Sequence, residues 1–162
     1  MIEVREAGPG DVGFIAAAVR ELAQHEGAPE RLVATAETLA EDLFGSRAGT
    51  LRCLIGEVNG EPCGIALYFF NASTWVGRRG LYLEDLYVKP GARGRGLGRA
   101  LLERLAAVAK AEGCERLEWS VLVNNAEARR FYEGLGAVAQ EDFVLYRVTG
   151  EALAKLGAGV NR

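Results

Sequence analysis

The chain has 162 residues, of which 49% are apolar and 25% are charged. This length and composition predict a globular protein with a single domain, residues 1–162, that buries one core. Nineteen basic residues against 22 acidic ones leave a net charge of −3. Because the one dense basic cluster lies in a short glycine-rich turn, we expect no nucleic-acid partner.

The chain has neither the long apolar run of a membrane span nor the leader of a secreted protein. Its N-terminal residues, MIEVREAGPG, alternate in the manner of a strand. We therefore expect no membrane partner and a cytoplasmic location. The three cysteines, Cys53, Cys63 and Cys114, stand apart without a C-x-x-C pair. This spacing favours small buried thiols over disulfides or a metal site.

The first 70 residues predict a strand, two helices and a hairpin. Asp11 is a candidate N-cap for the first helix, and Gly27 is its stop. The Asn-Gly pair at 59–60 is typical of a turn between antiparallel strands. In chain order the predicted elements are a strand at 2–5, helices at 11–24 and 35–44, and strands at 51–58 and 62–70.

The rest of the chain predicts a crossover that follows these antiparallel strands. A polar loop at 71–80 leads to a strand at 81–88, a helix at 97–112 and a strand at 117–123. A short helix at 124–136, a strand at 143–148, and a short helix with a frayed end at 150–162 complete the chain. The strand–helix–strand unit should be parallel and right-handed. We predict an α/β fold, a curved mixed antiparallel and parallel sheet flanked by helices on both faces.

The stretch KPGARGRGLGRALL, residues 89–102, joins a strand to an apolar helical pattern through a glycine-rich turn. A dinucleotide fingerprint fails here, because Arg99 stands where its third glycine is required. A nucleoside-triphosphate loop fails too, because Leu97 and Gly98 occupy the positions of its lysine and hydroxyl residue. The turn therefore belongs to neither of these phosphate-binding classes.

The same turn still has the elements of an anion site. The start of a helix presents backbone N–H groups and the positive end of its dipole, and glycine lets a ligand approach the main chain. Arg93, Arg95 and Arg99 add positive charge at that place. These features favour pyrophosphate binding, and the alternative is an ordinary turn with solvated arginines.

Two motifs carry a family resemblance. Arg93-x-x-Gly96-x-Gly98, between the LYLEDLYV strand and an amphipathic helix, resembles motif A of the GNAT family of acetyl-CoA-dependent N-acetyltransferases. Asn125, followed by ARRFYEGLGA at 128–137, resembles the N…A-x-x-F-Y-x-x-x-G-[AF] signature of that family. The resemblance implies the GNAT fold, acetyl-CoA (coenzyme A) as cosubstrate, and a cofactor-binding set of Leu86, Val88, Arg93, Gly94, Arg95, Gly96, Leu97, Gly98, Arg99, Asn125 and Tyr132.

The segments RELAQHEGAPERL and ALYFF…WVGRRGLYLEDLYV resemble the diamine, spermidine/spermine and thialysine acetyltransferase branch. The branch resemblance implies a homodimer and an amine site lined by Glu26, Trp75, Glu84 and Asp85. The chain departs from the branch where Ser73-Thr74 replace an acidic residue and a proline, and where His25 replaces an aromatic residue. One carboxylate fewer weakens the case for a polycationic substrate.

Acetyl transfer to an alkyl amine requires the free base. At pH 7 an amine with a pKa of about 10.4 is deprotonated at a cost of about 4–5 kcal/mol. With a single histidine in the chain, carboxylates are the candidate proton acceptors, Glu84 first and Asp85 second. Strand neighbours point to opposite faces, so only one of the two should face the amine unless a bulge intervenes.

The remaining steps need no covalent acyl-enzyme. Holding both substrates side by side removes roughly 7–11 kcal/mol of barrier, so direct attack on the thioester is reasonable. A backbone N–H near Leu86 would polarise the carbonyl. Tyr132 has a phenol suited to protonate the leaving thiolate, and the resemblance gives it the same acid role. Outside their motifs, Tyr132 and Trp75 would be interpreted as packed aromatic residues, and Asn125 as a helix start.

Three functions remain open. The first is an N-acetyltransferase acting on a primary amine of a small substrate, a polyamine, a diamine or a lysine-like amino acid. The second is a peptide or protein N-acetyltransferase, which the acidic strand and compact length disfavour. The third is a non-catalytic acyl-CoA-binding regulator, which the retained Tyr132 and carboxylates disfavour.

Overall fold

The computed structural model describes residues 1–159, and it divides the chain into two compact units. The first unit is Met1–Ser120, and the second begins at Val121. Within residues 1–159, no helix combines the length and the apolar character needed to cross a bilayer. The prediction of a single domain over 1–162 stays a prediction.

The first unit is a five-stranded sheet with three helices. The strands follow each other in the order β1-β2-β3-β4-β5, in which the first four are antiparallel and β4 pairs with β5 in parallel. This arrangement confirms the predicted mixed sheet. The elements are β1 (Ile2–Glu6), α1 (Val12–His25), α2 (Ala36–Leu43), β2 (Arg52–Val58), β3 (Glu61–Ser73), β4 (Arg78–Val88), α3 (Leu97–Ala111) and β5 (Leu117–Glu118).

Helices cover both faces of the sheet, as predicted. Ile55 of β2 packs in a buried cluster with Ile15 of α1 and Leu39 of α2. Its neighbour Gly56 faces the other way, where an added Cβ would lie 2.8 Å from Leu97 Cδ1 of α3. The missing side chain at position 56 therefore lets the start of α3 pack close against the sheet.

The hairpin between β2 and β3 forms as the Asn-Gly pair predicts. Val58 pairs with Glu61, which leaves Asn59 and Gly60 as the two turn residues. Their φ angles are 54° and 83°. A turn with two positive φ values matches the twist of antiparallel strands, and Asn and Gly adopt it most readily.

Three boundaries differ from the sequence-based expectation. The predicted loop at 71–80 is largely paired, because β3 and β4 continue as one long hairpin to a turn at 74–77. Residues in this part are mostly polar, and antiparallel strands with solvent-facing polar side chains can still pair through their backbones, so the sequence pattern did not reveal them. The strand expected at 117–123 is paired only at Leu117 and Glu118. Asp11 does not cap α1 with its side chain, because its carboxylate accepts the Gly8 N–H and pairs with Arg5.

The second unit holds two helices, α4 (Ala126–Glu133) and α5 (Gly150–Ala158). The predicted short helix at 124–136 is therefore confirmed, and so is a helix after residue 149. The strand predicted at 143–148 is wrong for this structure, because those residues form no ladder and their apolar side chains are exposed. A strand needs a neighbour for its backbone groups, and no described residue of this unit supplies one. Residues 160–162 of the predicted frayed end lie outside the described residues.

Candidate active site

A β-bulge places two carboxylates next to each other on β4. Leu67 pairs with Asp85 and the next residue, Tyr68, pairs with Leu83, so Glu84 is an extra residue on β4. A bulge of this kind interrupts the strict alternation of the strand. Glu84 is exposed and Asp85 is half-buried. Strict alternation would have let only one of them face the amine, and the bulge removes that constraint.

A third carboxylate, Glu26, lies close enough to act on the same group. Glu26 is the residue that follows α1. Burial first, and then the negative charges of Glu84 and Glu26, raise the pKa of Asp85 to about 6. The structure thus places two of the residues that the resemblance assigns to the amine end, Glu26 and Glu84, within electrostatic range of a third, Asp85.

Trp75, the fourth of these residues, lies apart from the carboxylates. It is at the tip of the β3–β4 hairpin, and its side chain is 99% exposed. His25, in the last turn of α1, is also exposed. No described residue covers its ring, and the role of Trp75 in substrate binding stays a prediction.

The edge of β4 that faces β5 is open over most of its length. β5 pairs only with Leu81 and Tyr82. From Leu83 to Val88, no described strand pairs with this edge, and Leu86 and Val88 lie in that stretch. An open strand edge presents unpaired backbone groups that an extended ligand arm can meet.

The glycine-rich turn has the backbone of an anion site. Gly94 and Gly96 have φ angles of 71° and 88°, a region that glycine occupies without strain. Gly96 precedes α3, and the first helical bond runs from the Ala100 N–H to the Gly96 carbonyl at 3.0 Å. The N–H groups of 97–99 therefore have no acceptor within the helix and are available to a ligand.

The three arginines of this turn differ in what they contact. The Nε of Arg93 donates to the Val88 carbonyl at 2.9 Å. Arg99 pairs with Glu103, one helical turn along α3, at 2.8 Å. Arg95 is exposed and has no side-chain partner among the described residues.

The second unit presents the other two predicted residues on one short helix. Asn125 begins α4, and its Oδ1 accepts the Ala128 N–H at 3.1 Å. This bond gives Asn125 the role of a helix cap, which the sequence left open. Tyr132 lies in the last turn of α4, with its ring 5.3 Å from that of Phe131.

The cysteines are free thiols, and Cys53 is buried. Burial raises the pKa of Cys53 to about 12, which keeps it protonated and unreactive at neutral pH. Within residues 1–159 no three histidine, cysteine, aspartate or glutamate side chains are arranged so that they could hold a metal ion.

Sequence reasoning missed one pair that contacts the turn. The Tyr87 hydroxyl donates to the Glu21 carboxylate of α1, and the Arg93 guanidinium lies 5.8 Å from the centre of the Tyr87 ring. The alternation of side chains along β4 could have predicted this contact, because it places Tyr87 on the same face as Asp85, toward α1.

Comparison with known proteins gives consistent results. The model of the acetyltransferase (GNAT) family matches residues 16–137. The thialysine N-epsilon-acetyltransferase of Bos taurus is 39% identical, over 96% of each chain. The protein with the same description from Caenorhabditis elegans is 35% identical, over 94% of this chain and 95% of the relative. Among solved structures, an integron cassette protein from V. cholerae has a TM-score of 0.77 and 26% identity, and the match covers 96% of this chain and 97% of the other.

Proposed function

The chain belongs to the acetyltransferase (GNAT) family and is an acetyl-CoA-dependent N-acetyltransferase, and we propose that its acceptor is a primary amine of a small substrate. A lysine-like amino acid comes first and a polyamine or diamine second. The thialysine acetyltransferases that the chain resembles support this order. The missing carboxylate before Trp75 supports it too, because a polycation gains from each additional negative charge.

The observation that carries the proposal is the group of three carboxylates beside the β4 bulge. Glu26 and Glu84 raise the pKa of Asp85 through like-charge repulsion, after the larger effect of burial. A substrate ammonium group between these side chains relieves that repulsion, so the group selects for a cationic amine. Asp85 is then the residue that holds the positive charge of the substrate.

Glu84 is the proposed acceptor of the amine proton. It is the extra residue of the bulge and it is exposed, so a proton that it accepts passes to water without crossing the core. The amine must lose this proton before it attacks, at a cost of about 4–5 kcal/mol for a group with a pKa of about 10.4. A base in the site supplies that step.

The glycine-rich turn is the proposed site for the pyrophosphate of coenzyme A. Its residues fit the group, since the N–H groups at the start of α3 and the exposed Arg95 offer donors and positive charge. The open edge of β4 near Leu86 and Val88 offers backbone groups to the thioester arm. Acetyl-CoA supplies the activated acetyl group for direct attack by the amine.

Tyr132 is the proposed acid and Asn125 a cofactor-binding residue. A neutral phenol donates a proton to the thiolate that leaves. General acid catalysis of this kind raises the rate by about 10²–10⁴-fold. Asn125 caps α4, the helix whose last turn carries Tyr132. Its side-chain oxygen therefore helps to fix the helix that carries the proposed acid, and its contact with coenzyme A stays a prediction.

The experiment that tests the function follows free-thiol release from acetyl-CoA. The acceptor panel contains thialysine, lysine, putrescine, spermidine, an aminoglycoside and a basic peptide. We expect turnover with the lysine analogues, a loss of about 100-fold or more in Glu84→Gln, and wild-type rates in Glu61→Gln, a matched change at an exposed strand residue. Turnover with the basic peptide alone would favour a peptide acetyltransferase and reject the small-amine proposal.

We also propose a homodimer in the cytoplasm. The exposed segment 143–148, FVLYRV, has a strand pattern but pairs with no described strand, and a second copy would cover it. Light scattering should give twice the chain mass for the wild type and a monomer for Leu145→Asp. Val33→Asp, at another exposed apolar residue, should leave the dimer intact. Three free thiols support a reducing compartment.

A further inference from the structure

A partly buried contact joins α1 to the end of β4, next to the glycine-rich turn. Tyr87 is 4% exposed, and its ring lies in the cluster between the sheet and the helices α1 and α2. Its hydroxyl donates to Glu21 on α1, and the positive charge of Arg93, whose guanidinium lies 5.8 Å from the centre of the Tyr87 ring, acts on the same hydroxyl. Burial first, and then the Glu21 carboxylate, raise the pKa of Tyr87 to about 12. The hydroxyl is therefore neutral and remains a donor throughout the physiological range.

Arg93 is the first residue of the R-x-x-G-x-G pattern, and its side chain turns back toward β4. Its Nε donates to the Val88 carbonyl at 2.9 Å, and its guanidinium lies over the Tyr87 ring. These contacts connect the end of β4 to the point where the glycine-rich turn begins. An arginine held in this way has fewer donors left for a phosphate than one that points into solvent.

Arg95 is in the opposite situation, two residues further along. It is exposed, and its side chain forms no hydrogen bond or ion pair with a described residue, whereas Arg99 is paired with Glu103. The three arginines of the turn therefore divide into one that is anchored, one that is paired along its own helix, and one whose donors are all available.

We propose that Tyr87 and Glu21 are positioning residues for coenzyme A, which act through Arg93 to hold the glycine-rich turn, and that Arg95 is the arginine that meets the phosphates. This inference rests on the proposed function of the turn. The Tyr87 ring contributes to the core, and its hydroxyl contributes to the anchor. Tyr87→Phe separates these contributions because it keeps the ring and removes only the hydroxyl.

The experiment measures the Kd of coenzyme A by calorimetry in the purified protein, together with kcat and the KM of each substrate. In Tyr87→Phe we expect the Kd of coenzyme A and the KM of acetyl-CoA to rise about tenfold, with kcat within about twofold. The KM of the amine should stay at its wild-type value. This distinction matters because α1 leads into Glu26, so a general loosening of the helix would also raise the amine KM.

A double-mutant cycle tests the path of the effect. Arg93→Ala should raise the Kd by a similar factor, and Tyr87→Phe should add nothing further in its presence, because both changes break the same anchor. Arg95→Ala should also raise the Kd, but its effect should multiply with that of Tyr87→Phe because it removes a separate contact. Tyr68→Phe, at a buried tyrosine on the opposite face of the sheet, is the matched control and should leave the Kd unchanged.

Two results would overturn the positioning role. One is an unchanged Kd in Tyr87→Phe, and the other is a cycle in which Tyr87→Phe and Arg93→Ala combine as independent effects. If Tyr87→Phe unfolds at a lower temperature than Tyr68→Phe, then Glu21→Gln, whose change lies at a half-buried helix position, decides by the same Kd measurement. A wild-type protein that fails to bind coenzyme A would reject the proposed function and the inference together.

Discussion

The two units of the chain differ in how they are stabilised. In Met1–Ser120 the helices and the sheet enclose side chains such as Ile55 and Leu105 that are fully buried. From 121 to 159 no described residue is buried, and the apolar side chains of 143–146 are at least three-quarters exposed. The first unit therefore holds the carboxylates and the glycine-rich turn on a rigid support. The second carries Tyr132 and Asn125 on elements with little core of their own.

The largest effect should come from the second unit, and it should be catalytic. We expect Tyr132→Phe to lower kcat by about 100-fold or more, because the acid for the leaving thiolate is lost. The Kd of coenzyme A and the melting temperature should change little. Tyr146→Phe, an exposed tyrosine of the same unit, should retain full activity. A fully active Tyr132→Phe enzyme would remove the acid role from this residue.

The next effect concerns stability, and it should separate the units directly. Leu105→Ala opens a cavity at a position with no exposure, so the free energy of unfolding should fall by about 2–5 kcal/mol. Leu145→Ala, at an exposed position, should change it by less than about 0.5 kcal/mol in protein dilute enough to be monomeric. Urea denaturation measures both values. Equal losses would contradict the contrast between the two units.

A smaller effect should follow from the titration of Asp85. As the pH falls through about 6, Asp85 is protonated and loses its attraction for the substrate ammonium, so the amine KM should rise about tenfold. The amine itself stays protonated across this range and adds no inflection. In Asp85→Asn the KM should be high at every pH, without a transition near pH 6. A wild-type transition that survives in the variant would assign it to another group.

The raised pKa of Asp85 also affects stability. Protonation of Asp85 weakens substrate binding, but it stabilises the folded protein. The carboxyl of Asp85 titrates at about 3.9 in the unfolded chain. Its pKa in the folded protein is higher, so the ionised carboxylate destabilises the folded state. This destabilisation is absent below about pH 4 and complete above about pH 6. Asp85→Asn should therefore raise the free energy of unfolding by about 2–3 kcal/mol at pH 7.5 and leave it unchanged at pH 4.

The smallest effect should come from the hairpin tip. Trp75→Ala removes a ring that is 99% exposed among the described residues, so kcat should stay within about twofold and the amine KM should rise by less than about fivefold. Steady-state kinetics with the best amine measures this. A loss as large as that in Asp85→Asn would indicate that the ring is covered in the working enzyme, by substrate or by the second copy.

The sequence predicted the elements whose signals are local. The Asn59–Gly60 turn, the apolar period of α3 and the glycine-rich turn before it are each specified within about a dozen residues. The bulge at Glu84 could not be predicted, because it depends on the register between β3 and β4. The expected strand at 143–148 has the right residue pattern, but a strand also requires a partner, which the pattern does not reveal. Of the site, the three carboxylates were anticipated, while the contact between Tyr87 and Glu21 was not.

The bulge on β4 also separates the chemistry of the site from its fold. Without Glu84, β4 would alternate from face to face like an unbroken strand, through Tyr82 and Leu83 and on to Asp85 and Leu86. Deletion of this one residue would preserve the facing of every other side chain on β4 and remove only the exposed carboxylate. The proposed base is therefore carried by a residue that the pairing of β3 and β4 does not itself require.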